Sequence, residues 1–530
     1  SAASDVYKRQ TTNRVGNEVS TDLNSTNETA GDRRIYLEAM VDYNRTFGRH
    51  DVNAMLLYNQ DELVNNVPGN NLINSLPKRK QGLAGRLSYA YDGKYMAEVN
   101  MGYNGSENFA KGHRWGFFPS IALGYNISEE SFFEPLRKVI TSMKLRGSWG
   151  LVGNDQIGGE RFIYMPTINL SGKGFTTGID QNYGLSGPVY TRYENNSITW
   201  EVGEKINLGI DLQLLNSLNI VVDIFRETRR DIFQKKGTIP TYLGTGNTDV
   251  FGNLAEMKNQ GLDLSIDYNK AFSKDFYMNF KGTFTYAHNE ITKYDEAPKY
   301  AFQSKVGQSA NVSQGYLSNG LFLDEAEIDR YNQQMGSTLG AGDIKYLNVS
   351  NMHGYGDDIV DVDDWTWIGN PTVPEIVYGF GPSFKYKNWD FSFFFQGVAK
   401  TSLFMSGFHP FGDNSLRNVL QFVANDRWSP TNQNVDAKYP RLTRKTSLNN
   451  TNPGNSGRTS DYWMRDGSFL KLKNMELGYT FKRMRFYISG SNLLTFSKFD
   501  LWDPEQGGGS GLKYPTQRVF NVGFQMTFNN

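Results

Sequence analysis

Apolar residues recur at every second position, in paired runs, from Ile35 to Phe528. Ile35, Leu37, Ala39, Val41 and Tyr43 alternate with Tyr36, Glu38, Met40, Asp42 and Asn44. After the turn FGRHD come Val52, Ala54, Leu56 and Tyr58; the runs Leu83 to Tyr91 and Tyr95 to Tyr103 flank the turn DGK. Ile206 to Leu212 pairs with Leu218 to Ile224, and Leu262 to Tyr268 with Met278 to Tyr286. Tyr378 to Tyr386 then pairs with Trp389 to Phe395, and Met475 to Phe481 with Met484 to Ile488. The last run is Phe520, Val522, Phe524, Met526 and Phe528, interleaved with Asn521, Gly523, Gln525 and Thr527. A period of two gives each strand one apolar and one polar face. Turns within a pair are tight, at 47–51, 92–94, 215–218, 387–389 and 482–483, while the stretches 160–197, 226–258, 290–374 and 400–460 are long and irregular.

A soluble sandwich would show the same alternation, so the two faces must be weighed against each other. The polar face carries Glu38, Asp42, Arg86, Glu98, Asn100, Asp211, Asp223, Asp263, Asp267, Lys281 and Glu476. Short turns on one side and long loops on the other form the layout of an outer-membrane β-barrel, whose apolar face meets lipid and needs no protein partner. On this reading Leu37, Val99, Leu208, Val222, Leu264, Phe393, Met484 and Phe524 face lipid, and Glu38, Glu98, Asp211, Asp263 and Glu476 face the lumen. Tyr43, Phe47, Tyr58, Tyr91, Tyr95, Tyr268, Tyr479 and Phe481 suit interfacial girdles. The runs amount to about fifteen strands, most of them able to cross a bilayer at roughly 9–11 residues.

Composition excludes several function classes. The 55 basic and 55 acidic residues balance, so nothing favours a nucleic-acid partner. The absence of cysteine from 530 residues removes disulfide and thiol chemistry. Mean hydropathy is −0.54, and no apolar run is long enough for a helical span. The histidines His50, His113, His288, His353 and His409 are scattered without metal-ligand spacing, and no Walker loop or nucleophile elbow occurs. No catalytic residue and no cofactor is expected.

Several ordered segments carry a resemblance. GSENFAKGHRWGFFPSIALGYNISEESFF (105–133), MKLRGSWGLVGNDQIG (143–158) and NSITWEVGEKINLGIDLQLLNSLNIVVDIF (196–225) resemble successive segments of SusC/RagA-type TonB-linked outer-membrane proteins. MKNQGLDLSIDY, GDIKYLNV, WTWIGNPTVPEIVYGFGPSFKYKNWDFSFFFQG and DYWMRDGSFLKLKNMELGYTF continue in family order to the terminal strand. The resemblance implies an all-β fold, the C-terminal part of a 22-stranded antiparallel transmembrane barrel, with the plug and first strands absent. Residues 33–530 are then barrel. Residues 1–32 are a non-barrel lead-in whose opening SAASDVYKRQ resembles sequencing-adaptor read-through. Phe520, Phe524 and Phe528 match the terminal signal read by the barrel-assembly machinery.

By the same resemblance the protein lies in the Gram-negative outer membrane and imports nutrient oligomers, most often oligosaccharides, with peptide as the rival cargo. A SusD-like lipoprotein acts at the surface, and the TonB complex engages through the N-terminal region. A secreted β-rich glycan-binding or structural protein and a passive porin are the alternatives. The family often has a calcium-like loop where this chain reads YGDDIVDVDDWTW. Asp357, Asp361, Asp363 and Asp364, with Asp358 between, are its candidate ligands here, against a default of a solvated acidic loop. Trp365 and Trp367 could stack on sugar rings or anchor the loop.

Overall fold

The computed structural model describes residues 31–65, 76–158, 161–240, 249–331, 333–334, 339–355, 357–407, 411, 418–444 and 459–528. Residues 1–30 of the expected lead-in, His409 and the terminal Asn529 and Asn530 lie outside the described residues. Among the described residues fifteen strands form one sheet. They are β1 (Asp32–Phe47), β2 (His50–Asn65), β3 (Lys78–Tyr91), β4 (Tyr95–Ser106), β5 (Trp115–Asn126), β6 (Ile140–Asn154), β7 (Glu201–Leu214) and β8 (Leu218–Lys235). The others are β9 (Phe251–Ala271), β10 (Phe276–Lys293), β11 (Ile376–Tyr386), β12 (Trp389–Ala399), β13 (Phe469–Phe481), β14 (Met484–Ser497) and β15 (Val519–Met526). Each pairs antiparallel with the next. Among the described residues β1 pairs only with β2 and β15 only with β14, so the sheet is open at both edges.

The tight connections follow from backbone chemistry. Asp92 and Gly93 both have positive φ, as does the pair Leu215–Asn216, which matches the right-handed twist of the flanking strands. Asp and Gly reach that conformation at little cost, whereas Leu215 is held there by its hairpin. All the tight turns lie at one rim. The connections 107–114, 155–200, 236–250, 294–375, 400–468 and 498–518 lie at the other.

Register settles the two faces. Leu208 pairs with Gly147 and Ile224, Ile224 with Leu262, and Leu262 with Tyr286. Carried from strand to strand, this parity puts all eight expected lipid-facing residues on one face, and Glu38, Glu98, Asp211, Asp263 and Glu476 on the other. Among the described residues no second sheet covers the apolar face: Leu37 is 52% exposed, Leu208 62% and Phe524 56%. Most of the buried apolar residues lie elsewhere, with Leu472, Phe469 and Ala255 the exceptions on the strands of the sheet. One core joins Tyr316, Leu321, Ile344, Tyr346, Val423 and Trp463 from the connections between strands, and a second joins Phe109, Ile157, Ile163, Ile198 and Trp200. A soluble sandwich would bury the sheet face; here the dry cores sit in the loop rim.

Three expected boundaries are corrected. The stretch 226–258 is not all loop, because β8 runs on to Lys235 and β9 starts at Phe251. Polar residues on both faces (Arg226, Glu227, Thr228, Arg229) erase the alternation there while the ladder continues, with an irregularity between Arg229 and Ile232. The stretch 290–374 begins inside β10, which ends at Lys293. The last strand stops at Met526, so Phe528 stands beyond the ladder, although Thr527 still donates its N–H to the Arg483 carbonyl at 3.0 Å.

Candidate functional site: the lumen face and the loop rim

The polar face is cross-linked along its strands. Arg146 on β6 reaches Asp211 on β7 at 2.8 Å and Asp223 on β8 at 2.9 Å. Arg485 on β14 holds Glu476 at 2.5 Å and also pairs with Asp390 on β12. Ser88 and Asn100 donate to Glu98 at 2.8 and 2.9 Å, and Thr285 to Asp263 at 2.7 Å. Between these groups Asn53, Asn207, Asn259, Asn289, Gln396 and Asn521 extend the same face. The result is a wall of amides, hydroxyls and paired charges, suited to a hydrated passage rather than to an acid–base pair.

At the short-turn rim the outward face ends in rings. Tyr95 stacks on Tyr125 with centroids 5.1 Å apart, Trp389 meets Tyr479 at 4.7 Å, and Phe486 meets Phe524 at 5.1 Å. Tyr43, Phe47, Tyr91, Tyr268 and Phe481 share this face and rim, while Tyr58 sits higher on β2, between Leu56 and Gln60. Phe520 and Phe524 lie on the outward face of β15; Phe528 lies past its end, 81% exposed.

The loop rim is a built structure. Asp343, fully buried, accepts from Arg441 Nη2 at 2.9 Å, and the guanidinium's Nε bonds the same carboxylate. Asp461 accepts the backbone N–H of Ser318 at 2.7 Å and its hydroxyl at 2.6 Å, across 143 residues of chain. Asp343→Ala strands a half-buried guanidinium and is expected to cost the loop rim about 3–5 kcal/mol, seen as faster proteolysis within 294–375 at unchanged heat-modifiable gel mobility.

The acidic segment spends its carboxylates locally. Asp364 is buried and accepts from the N–H groups of Ser350 at 2.9 Å and Asp361 at 2.8 Å. Burial raises its pKa above the ordinary carboxylate value, against those two hydrogen bonds. Asp361 accepts from Asp363 N–H at 2.8 Å, Asp363 pairs with Lys299, and Asp357 accepts from Ile359 N–H at 3.1 Å. Among the described residues, no group of three or more His, Asp or Glu side chains is placed to hold a metal ion. Trp367 donates its indole N–H to the Ser304 carbonyl at 2.8 Å, and Trp365 packs edge-on to Tyr316 at 6.0 Å. Both indoles thus tie segments of the rim together. Sequence reasoning missed Asp343, Arg441 and Asp461: the first and last stand inside segments that carry the resemblance, but nothing in those segments names their partners.

Comparison with known proteins agrees with this architecture. The family model for the TonB-dependent receptor-like β-barrel matches residues 2–493. The TonB-dependent receptor SusC of Bacteroides thetaiotaomicron is 28% identical over 471 residues, covering 84% of this chain and 43% of that protein. The TonB-dependent receptor P3 of Formosa agariphila is 26% identical over 481 residues, covering 84% of this chain and 45% of its own length. This chain therefore spans about half the length of the curated relatives it matches. Among solved structures, a chain of the RagAB peptide transporter superposes with a TM-score of 0.68 at 20% identity, over 94% of this chain and 56% of that one. A sheet with one bare apolar face, a polar lumen wall and a packed loop rim, matched by the family model along nearly all its length, identifies the chain as a member of the TonB-dependent receptor β-barrel family, an outer-membrane transporter and receptor family of SusC/RagA type and not an enzymatic one.

Proposed function

We propose that this chain is barrel wall and loop rim of an importer of nutrient oligomers, with oligosaccharides as cargo. A SusD-like lipoprotein would sit on the loop rim, and the TonB complex would supply energy through an N-terminal region. The observation that carries the cargo class is the lumen face. Its amides and hydroxyls can replace water around a hydroxyl-rich solute, and its charges are largely paired, which favours neutral cargo. The packed loop rim offers a fixed platform for the lipoprotein, since loops of this length with their own cores are commonly functional.

The test is growth and uptake by a strain lacking this gene. Loss of uptake of a labelled neutral oligosaccharide, with a wild-type strain made equally deficient by a protonophore, supports the reading. Loss of peptide uptake alone would replace the cargo, and uptake indifferent to the protonophore would indicate a passive pore.

Orientation can be checked separately. With no cysteine among these 530 residues, an impermeant maleimide is expected to label L170C on intact cells, and R49C only after permeabilisation. The reverse pattern would invert the barrel.

A further inference from the structure

Three hairpin turns lie side by side at the short-turn rim: 272–275 between β9 and β10, 387–388 between β11 and β12, and 482–483 between β13 and β14. Their backbones are linked, with Lys387 donating to the Asp275 carbonyl at 2.7 Å and Thr480 to that of Asn388 at 2.8 Å. This arc carries five exposed cations, Lys270, Lys274, Lys387, Lys482 and Arg483, against one acid, Asp275. Among the described residues none of the five is ion-paired. Three are held over rings: Lys270 lies 5.7 Å from Phe272, Lys387 5.6 Å from Tyr386, and Lys482 5.5 Å from Phe481. Tyr386 and Phe481 belong to the outward girdle.

The neighbouring stretch of the same rim is built differently. Arg49 pairs with Asp92 at 3.8 Å, Lys94 with Glu130 at 3.6 Å, and Arg137 with Glu134 at 2.9 Å. One stretch balances its own charge and the other leaves a cationic arc at the height where girdle rings mark the membrane interface. Lysine stems lie along such rings while the ammonium reaches into the headgroup layer.

We propose that this arc is a docking surface for the headgroups of anionic phospholipids in the leaflet on the short-turn side, which in this layout is the periplasmic one. The proposal rests on the barrel reading. Each cation near an anionic surface is worth about a fivefold gain in binding, and the girdle fixes several of them at the right depth.

The whole transporter, extracted from outer membranes, would be exchanged into micelles holding equal amounts of phosphatidylglycerol and phosphatidylcholine, and the retained lipid counted by native mass spectrometry. Wild type is expected to favour phosphatidylglycerol, and K270Q/K274Q/K387Q/K482Q/R483Q to lose that preference by at least about fivefold. R49Q/K94Q, in the balanced stretch, is expected to keep it. Equal retention of both lipids by wild type overturns the proposal, as does a heat-modifiable quintuple variant with wild-type preference. Should the quintuple variant not fold, salt decides: a wild-type preference unchanged between about 0.05 and 0.5 M salt overturns the proposal, and one that falls supports it. Wild-type protein without heat-modifiable mobility would instead overturn the barrel reading itself.

Discussion

Leu208→Arg is expected to destabilise the inserted sheet by about 2–4 kcal/mol, whereas Asn207→Arg, one residue away, costs far less. Leu208 stands on the outward face midway along β7, bordered by Gly147 and Ile224. Among the described residues it stays 62% exposed, so a charge there meets hydrocarbon. Asn207 faces the lumen beside Ser148, where an added guanidinium keeps its water. Urea titration of the whole transporter in phospholipid vesicles, read by heat-modifiable mobility, measures both. Equal costs at the two positions would mean that both faces see the same solvent.

A larger effect is expected from the sheet edges. Fifteen strands in unbroken antiparallel order leave β1 and β15 running in the same direction. They cannot meet as an antiparallel pair, and closure of an antiparallel barrel needs an odd number of further strands between them. The apolar runs Ile35 to Tyr43 and Phe520 to Met526 place both edges in the hydrocarbon layer. Each unpaired backbone group there costs several kcal/mol. Closing the fifteen into a smaller barrel would change tilt and shear together. The chain expressed as these 530 residues alone is therefore expected to aggregate through its edges rather than insert. Ion conductance across planar bilayers from the isolated chain would contradict this.

Much of the wall was legible because a lipid-facing strand needs only an alternation. Leu37, Val99, Leu208 and Phe524 announce their face by parity, and register carries that parity across the sheet. The signal fails where a strand rises out of the membrane. At Arg226 to Arg230 and at Glu290 both faces are wet, so β8 and β10 continue without any apolar period. It fails again in the loop rim, whose core joins Tyr316 to Trp463 through contacts far apart in sequence. Asp343 finds Arg441 and Ser318 finds Asp461 without any spacing rule that a single sequence displays. Trp365 and Trp367 stood out as aromatics, but the partners that make them ties within the rim come from residues 304 and 316. The acidic run Asp357 to Asp364 likewise looked like one cluster, and folding turns its carboxylates toward separate N–H groups and Lys299.

The most direct test of the two-faced wall is spin-label accessibility along β7 of the whole transporter in the outer membrane, one cysteine at a time from Ile206 to Asp211, with no cysteine among these 530 residues. The account predicts a period of two: labels at 206, 208 and 210 relaxed by oxygen from the lipid, and labels at 207, 209 and 211 by a water-soluble nickel chelate. A flat profile, or the chelate reaching 208 as readily as 209, would contradict a lipid-facing sheet.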